Sequence, residues 1–176
     1  MTFLLCSGCG GGTEEKTAFE SWRQSYAAAE SHGIEAVIKA SDDTRAVEYQ
    51  LRYSAGPEGE TVEVLAPETI AKVKAAVADD GARLEYDGVQ LDTGTALQGR
   101  LSPLMSLPTL SRFLREGHVE SVWNEKMDGE TLRVVELEDG DGVRLRLWQS
   151  ADGTPVHAEL RSGERVEITM NITKFS

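Results

Sequence analysis

Cysteine is nearly absent from this chain. Its 176 residues contain two, Cys6 and Cys9, both ahead of any folded-looking sequence. The remainder can form no disulfide and must stand on its hydrophobic core. Long apolar runs are missing as well: none after residue 12 approaches the ~20 residues of a membrane-spanning helix. Positive charge is scarce, with 18 Lys and Arg against 30 Asp and Glu, a net charge of −12. Nucleic acid demands basic patches to meet its phosphates, so the composition argues against it as a partner. It argues equally against adsorption to anionic lipid headgroups.

Catalytic signatures are missing too. No G-x-S-x-G, no Walker A and no G-x-G-x-x-G opening a helix occurs. His32, His118 and His157 are scattered, with none paired at metal-ligand spacing. Asp139-Gly140-Asp141-Gly142 carries acids as a calcium loop does, but an EF-hand needs a Glu at its twelfth position between helices. Here Val143 opens a strand at once, so a tight hairpin is expected. The many acids alternate along strands or sit in turns, as a solubilising surface would. No catalytic residue, metal ligand or cofactor is assigned, and the chain is expected not to be an enzyme.

What is present begins at the N-terminus, Met1-Thr-Phe-Leu-Leu-Cys-Ser-Gly-Cys-Gly-Gly-Gly12. A small residue before Cys9, followed by a glycine tether, is what bacterial lipoprotein processing recognises. The expectation is cleavage before Cys9 and diacylglyceryl attachment to its sulfur, giving an anchor on the outer face of the cytoplasmic membrane. Signal peptides carry a basic start and 7–15 apolar residues, whereas here only Phe3 to Leu5 is strongly apolar and Lys16 is the first basic residue. The upstream half of the signal is therefore expected ahead of Met1. A C-x-x-C pair can also be redox-active or half of a zinc site, but no second half follows. Residues 1–12 are thus assigned to signal and tether, and 13–176 to one domain.

Thr13 is placed to cap a helix running to about Ser31, with Gly33 as its stop. Phe19, Trp22, Tyr26 and Ala29 form its apolar stripe at three- and four-residue spacing. After Gly33 the period becomes two. Val47, Tyr49, Leu51 and Tyr53 alternate with Ala46, Glu48, Gln50 and Arg52; Val143, Leu145 and Leu147 alternate with arginines; the runs at 156–161 and 165–172 do likewise. Each is a half-buried antiparallel strand with one wet face. Turn signals between them, Gly56-Pro57-Glu58-Gly59 and Asp128-Gly129 among them, indicate a meander of about nine or ten strands. One segment, Leu101 to Gly117, interrupts it with a short helix, Pro108 in its first turn and Gly117 as a stop. The fold class is α+β: a strongly curved antiparallel sheet, an open half-barrel, covered by the two helices.

A curved sheet under helices can enclose a cavity, and ligand pockets are mostly apolar. The candidate lining is Leu104, Met105, Leu107, Leu110, Phe113 and Leu114, opposite Phe19 and Trp22. Methionine adapts to irregular shapes such as acyl chains. The same residues serve equally as a packed core that plugs the sheet.

The stretch from Leu65-Ala-Pro-Glu68 through Leu84-Glu-Tyr-Asp-Gly88 to Leu91 resembles a characteristic block of the LolA-like superfamily, which includes LolA, LolB and RseB. The closest style is that of clostridial-type surface lipoproteins with this fold, such as the germination lipoprotein GerS. The resemblance implies an eleven-stranded half-barrel with helices in its mouth and no enzyme activity. It also implies one of two partners: acyl chains, as in LolA, or an envelope protein, as in GerS. A chain held by its own lipid cannot freely ferry others, which favours the protein partner.

Overall fold

The computed structural model describes residues 11–41, 46–78, 81–86, 89–91 and 101–176. Cys9, and the turn residues 79–80 and 87–88, lie outside them. Helix α1 spans Gly11–Ala28. It begins two residues before Thr13, which is therefore internal rather than a cap; its carbonyl accepts from the Thr17 hydroxyl at 2.9 Å. Phe19 and Tyr26 are buried and Trp22 half-buried, as the stripe requires. Ala29, by contrast, is exposed beyond the helix end.

Gly33 is not the helix stop. It lies in strand β1, His32–Ser41, and exchanges backbone hydrogen bonds of 2.8 and 2.9 Å with Ser176. A Cβ there would stand 2.7 Å from the Ser176 Oγ, so the glycine permits close approach of the C-terminus. What ends the helix is the commitment of the next residues to the sheet, with Tyr26 and His32 stacked at 4.0 Å across the junction.

Five strands follow: β2 (Ala46–Gly56), β3 (Gly59–Ala66), β4 (Lys74–Ala78), β5 (Gly81–Tyr86) and β6 (Val89–Leu91). Then come helix α2 (Ser106–Glu116) and strands β7 (His118–Met127), β8 (Glu130–Glu138), β9 (Val143–Gln149), β10 (Pro155–Ser162) and β11 (Arg165–Phe175). Among the described residues six strands thus precede α2, where the sequence suggested five or so. All eleven form one sheet in the order β6-β5-β4-β3-β2-β1-β11-β10-β9-β8-β7. The β1–β11 pairing joins two meanders. With β6 and β7 at its two ends the curved sheet stays unclosed, an open half-barrel.

The turns obey local chemistry. Asp128 and Gly129, at φ 53° and 88°, join β7 to β8; two positive φ values make the turn whose twist matches its strands. In the next connection Asp139 Oδ1 accepts from the Asp141 N–H at 3.0 Å, with Gly140 at φ 83° and Gly142 at φ 81°. That is a hairpin turn.

Strand alternation aims Ile34, Ala36, Ile38, Leu51, Tyr53, Leu145, Leu147, Ile168 and Met170 at the helices, and all are buried. The opposite face is more than wet. Arg52 sits between Glu35 (2.9 Å) and Glu63 (3.2 Å), its neighbours in register on β1 and β3. Farther along, Trp123, Val134, Trp148 and His157 are successive cross-strand partners. Leu132, Val134 and Trp148 form a second buried cluster there, packed by Trp123, Met127 and Val156. A two-layer pattern does not foretell it: Trp148 shares the outer register of Arg144 and Arg146.

Candidate binding site in the half-barrel

Helix α2 fills the floor of the half-barrel. Leu107, Leu110, Phe113 and Leu114 are fully buried, and so is Phe19 from α1. Four large side chains in eleven residues leave little of α2 for solvent, and burying each stabilises by about 1.5–3 kcal/mol. Polar contacts fasten its last turns. The Ser111 hydroxyl, itself buried, lies 2.9 Å from the Tyr26 hydroxyl, and Arg115 donates to Glu60 of β3 at 3.1 Å. At the helix end Gly117 has ordinary extended backbone, φ −61° and ψ 142°. Its necessity is steric: a Cβ would meet the Phe113 carbonyl at 2.7 Å, the Phe113 ring at 3.0 Å and the Leu137 Cβ at 3.2 Å. Of the residues expected to line a cavity, five are therefore core in this state. Trp22, Leu104 and Met105 are only half-buried, at its margin.

Open apolar surface lies elsewhere. Among the described residues the exposed large hydrophobics are Val47 (39% exposed), Ile70 (37%), Tyr86 (48%) and Val89 (59%). Register brings them to one rim: Val47 begins β2, Ile70 follows the end of β3, Tyr86 ends β5 and Val89 begins β6, where the two pair. Val47 shares the inward face of Leu51 and Tyr53; Tyr86 shares that of Leu84, which packs on the core. The inner wall of the half-barrel is thus covered over its floor and bare along this rim. Lys72, in the β3–β4 connection, is held at φ 73°, with its N–H donating to Val64 O at 3.0 Å. A lysine in that region stores about 1 kcal/mol or more of strain. The sequence carried part of this signal, since Val47 stands in the dry register of β2. What alternation could not show is that no described helix reaches that far along the strand.

No protein-family model matches the sequence, and no curated protein sequence matches it. Solved structures do match in fold. A domain assigned to outer membrane lipoprotein sorting, from Vibrio parahaemolyticus, aligns over 92% of both chains at 11% identity, with a TM-score of 0.52. A DUF1329 family protein from Desulfovibrio piger covers 94% of this chain and 93% of its own at 9% identity, TM-score 0.54. The fold is LolA-like. A LolA superfamily protein from Nitrosomonas europaea also aligns, over 92% of both chains at 12% identity, with a TM-score of 0.44.

Within this LolA-like domain the ionisable groups are dispersed. His32 is buried against Tyr26; burial, helped by the Arg115 charge, holds its pKa below the usual histidine range. His157 hydrogen-bonds Asn171 at 2.8 Å and meets Trp148 edge-on at 4.9 Å. His118 is exposed at the start of β7. Among the described residues no group of three or more His, Cys, Asp or Glu is placed to hold a metal. A cleft of about 200 Å³ opens beside the end of α2, between Arg112, Phe113, Glu116, Gly117 and Asp139. Across it the Arg112 guanidinium lies 3.9 Å from the largely buried Asp139 carboxylate, with Glu116 as a second acid. No described helix is long and apolar enough to cross a membrane.

Proposed function

We propose that this chain is a non-catalytic binding protein of the bacterial envelope, tethered to the membrane through a lipid on Cys9, whose LolA-like domain engages a protein partner. The contrast between the buried α2 and the exposed rim carries this reading. With Leu107, Leu110, Phe113 and Leu114 packed as core, binding energy has to come from surface, and that favours a macromolecule over an enclosed chain. The acidic, ion-paired outer face keeps the domain soluble while leaving docking to neutral patches.

Two experiments test the two halves of the proposal. Labelling cells with a palmitate analogue should mark the wild-type chain and not Cys9→Ala; label on the variant would refute the anchor. Native mass spectrometry of gently purified protein, followed by denaturation, should release no ligand.

A second reading has an observation of its own. Leu104 and Met105 are half-exposed at the edge of the floor, where an acyl chain could enter beside α2. A co-purifying lipid whose yield falls in Met105→Glu would make the protein a carrier or acceptor of acyl chains instead.

A further inference from the structure

We infer that the cleft at the end of α2 is a small-molecule site that binds the ammonium and carboxylate of a free α-amino acid. This goes beyond the partner reading above and stands independently of it.

The cleft offers opposite charges side by side. Arg112 and Glu116 come from the last turns of α2, and Asp139 directly follows β8 in the turn to β9. That turn holds the carboxylate in place: Asp139 Oδ1 accepts from the Asp141 N–H at 3.0 Å, and the side chain is only 13% exposed. Asp139 Oδ2 lies 3.9 Å from Arg112 Nη2, too far for a hydrogen bond. That nitrogen is buried and has no hydrogen-bond partner among the described residues. The side chain as a whole is 39% exposed, so its guanidinium is open to solvent in part. Buried donors are normally satisfied. An unmet N–H beside an open cleft calls for an acceptor from outside.

The surroundings narrow what brings that acceptor. A simple anion fits poorly, because Asp139 and Glu116 line the same cleft and α2 turns its partially negative C-terminal end there. A simple cation meets the Arg112 guanidinium. A molecule carrying both charges avoids both conflicts, with its carboxylate on Arg112 and its ammonium on Asp139 and Glu116. Groups only 3.9 Å apart are best matched by charges on one carbon, as in an α-amino acid, rather than at opposite ends of a peptide. Volume agrees. The cleft of about 200 Å³ is smaller than the roughly 300–1,000 Å³ of drug-sized pockets. It is several times the ~30 Å³ share of one water. Held in an open cleft, such a ligand exchanges and washes out of purified protein.

The test is therefore a titration, following amide chemical shifts of the full chain as alanine is added. Saturable shifts are expected at Gly117 and at Asp139 to Asp141. Propionate, ethylamine and trialanine should each bind at least about tenfold more weakly, since each leaves a charge of the site unmatched or misplaced. Arg112→Gln and Asp139→Asn should each abolish the response. The asparagine keeps an oxygen for the Asp141 N–H, so the hairpin stays and shifts elsewhere in the spectrum report an intact fold. Equal binding of propionate would make the cleft an anion site, equal binding of ethylamine a cation site, and equal binding of trialanine a peptide site; each overturns the inference. So would the absence of saturable shifts, or a response to alanine that survives Arg112→Gln.

Discussion

The two halves of the sheet are built from similar alternating strands and end up differently buried. On one side, the inward residues Val135 and Leu137 of β8 and Leu145 and Leu147 of β9 are all buried. On the other, the strands are shorter beyond β2: eleven residues in β2, eight in β3, then five, six and three in β4, β5 and β6. Of the described residues in β4 and β5, only Ala75 is buried. Hydrophobic residues are present on both sides, so composition is not the cause. Cover is: α1 lies along β7, α2 reaches β2 and β3, and beyond β3 the inner face has no described helix over it. On the inner face a strand is dry where a second layer removes its water, and the difference separates the part that stabilises from the part free to bind.

The sharpest way to break the comparison is to truncate one large apolar side chain in each half. Phe113→Ala, under α2, should cost about 3–5 kcal/mol, the range for removing a buried aromatic. Val89→Ala, on the rim, should change stability by no more than about 0.5 kcal/mol. Urea denaturation of both variants decides; equal costs would mean the rim is core and would remove the docking surface with it.

Gly117→Ala comes next. Its backbone angles suit any residue, so a purely conformational view predicts no effect. The 2.7 Å approach to the Phe113 carbonyl predicts a loss of about 1–3 kcal/mol as α2 is pushed off the sheet. A smaller, pH-dependent effect belongs to His32. Its folded-state pKa is depressed, so the unfolded chain binds the proton more readily and stability rises with pH through that window. Acidifying below about 6.5 should therefore destabilise the protein, and His32→Phe should flatten that slope in thermal melts.

Much of this architecture was legible before folding. Period-two runs marked the strands, the stripe of Phe19, Trp22 and Tyr26 marked α1, and turn chemistry at Asp128-Gly129 fixed a hairpin. Misreadings have one origin, which is that a local signal was given a local cause. Gly33 resembled a helix stop but serves strand-to-terminus approach, and Gly117 ends α2 for space rather than for dihedral freedom. Leu107, Leu110, Phe113 and Leu114 were recognised as apolar, yet no periodicity distinguishes a cavity wall from a plug. That depends on what stands opposite. Of the rim only Val47 could be read, since Val47, Ile70, Tyr86 and Val89 come to one end of the sheet only through the register of five strands.

The smallest effects come from two tyrosines at the floor, and they probe how tightly α2 is held. Both Tyr26 and Tyr53 are buried beside Ser111. The Tyr26 hydroxyl bonds Ser111 at 2.9 Å, whereas the Tyr53 hydroxyl reaches no partner at hydrogen-bonding geometry. Burial pushes the Tyr53 pKa upward, with Ser111 and Glu60 as its polar neighbours. Tyr26→Phe should cost about 1 kcal/mol, the typical net worth of one hydrogen bond. Tyr53→Phe removes a hydroxyl that already bears its desolvation cost, so it should be neutral or stabilising by up to about 1 kcal/mol. If the second variant is instead as damaging as the first, Ser111 bonds both rings in solution. The end of α2 is then pinned twice, and a floor so pinned is still less able to open for an acyl chain.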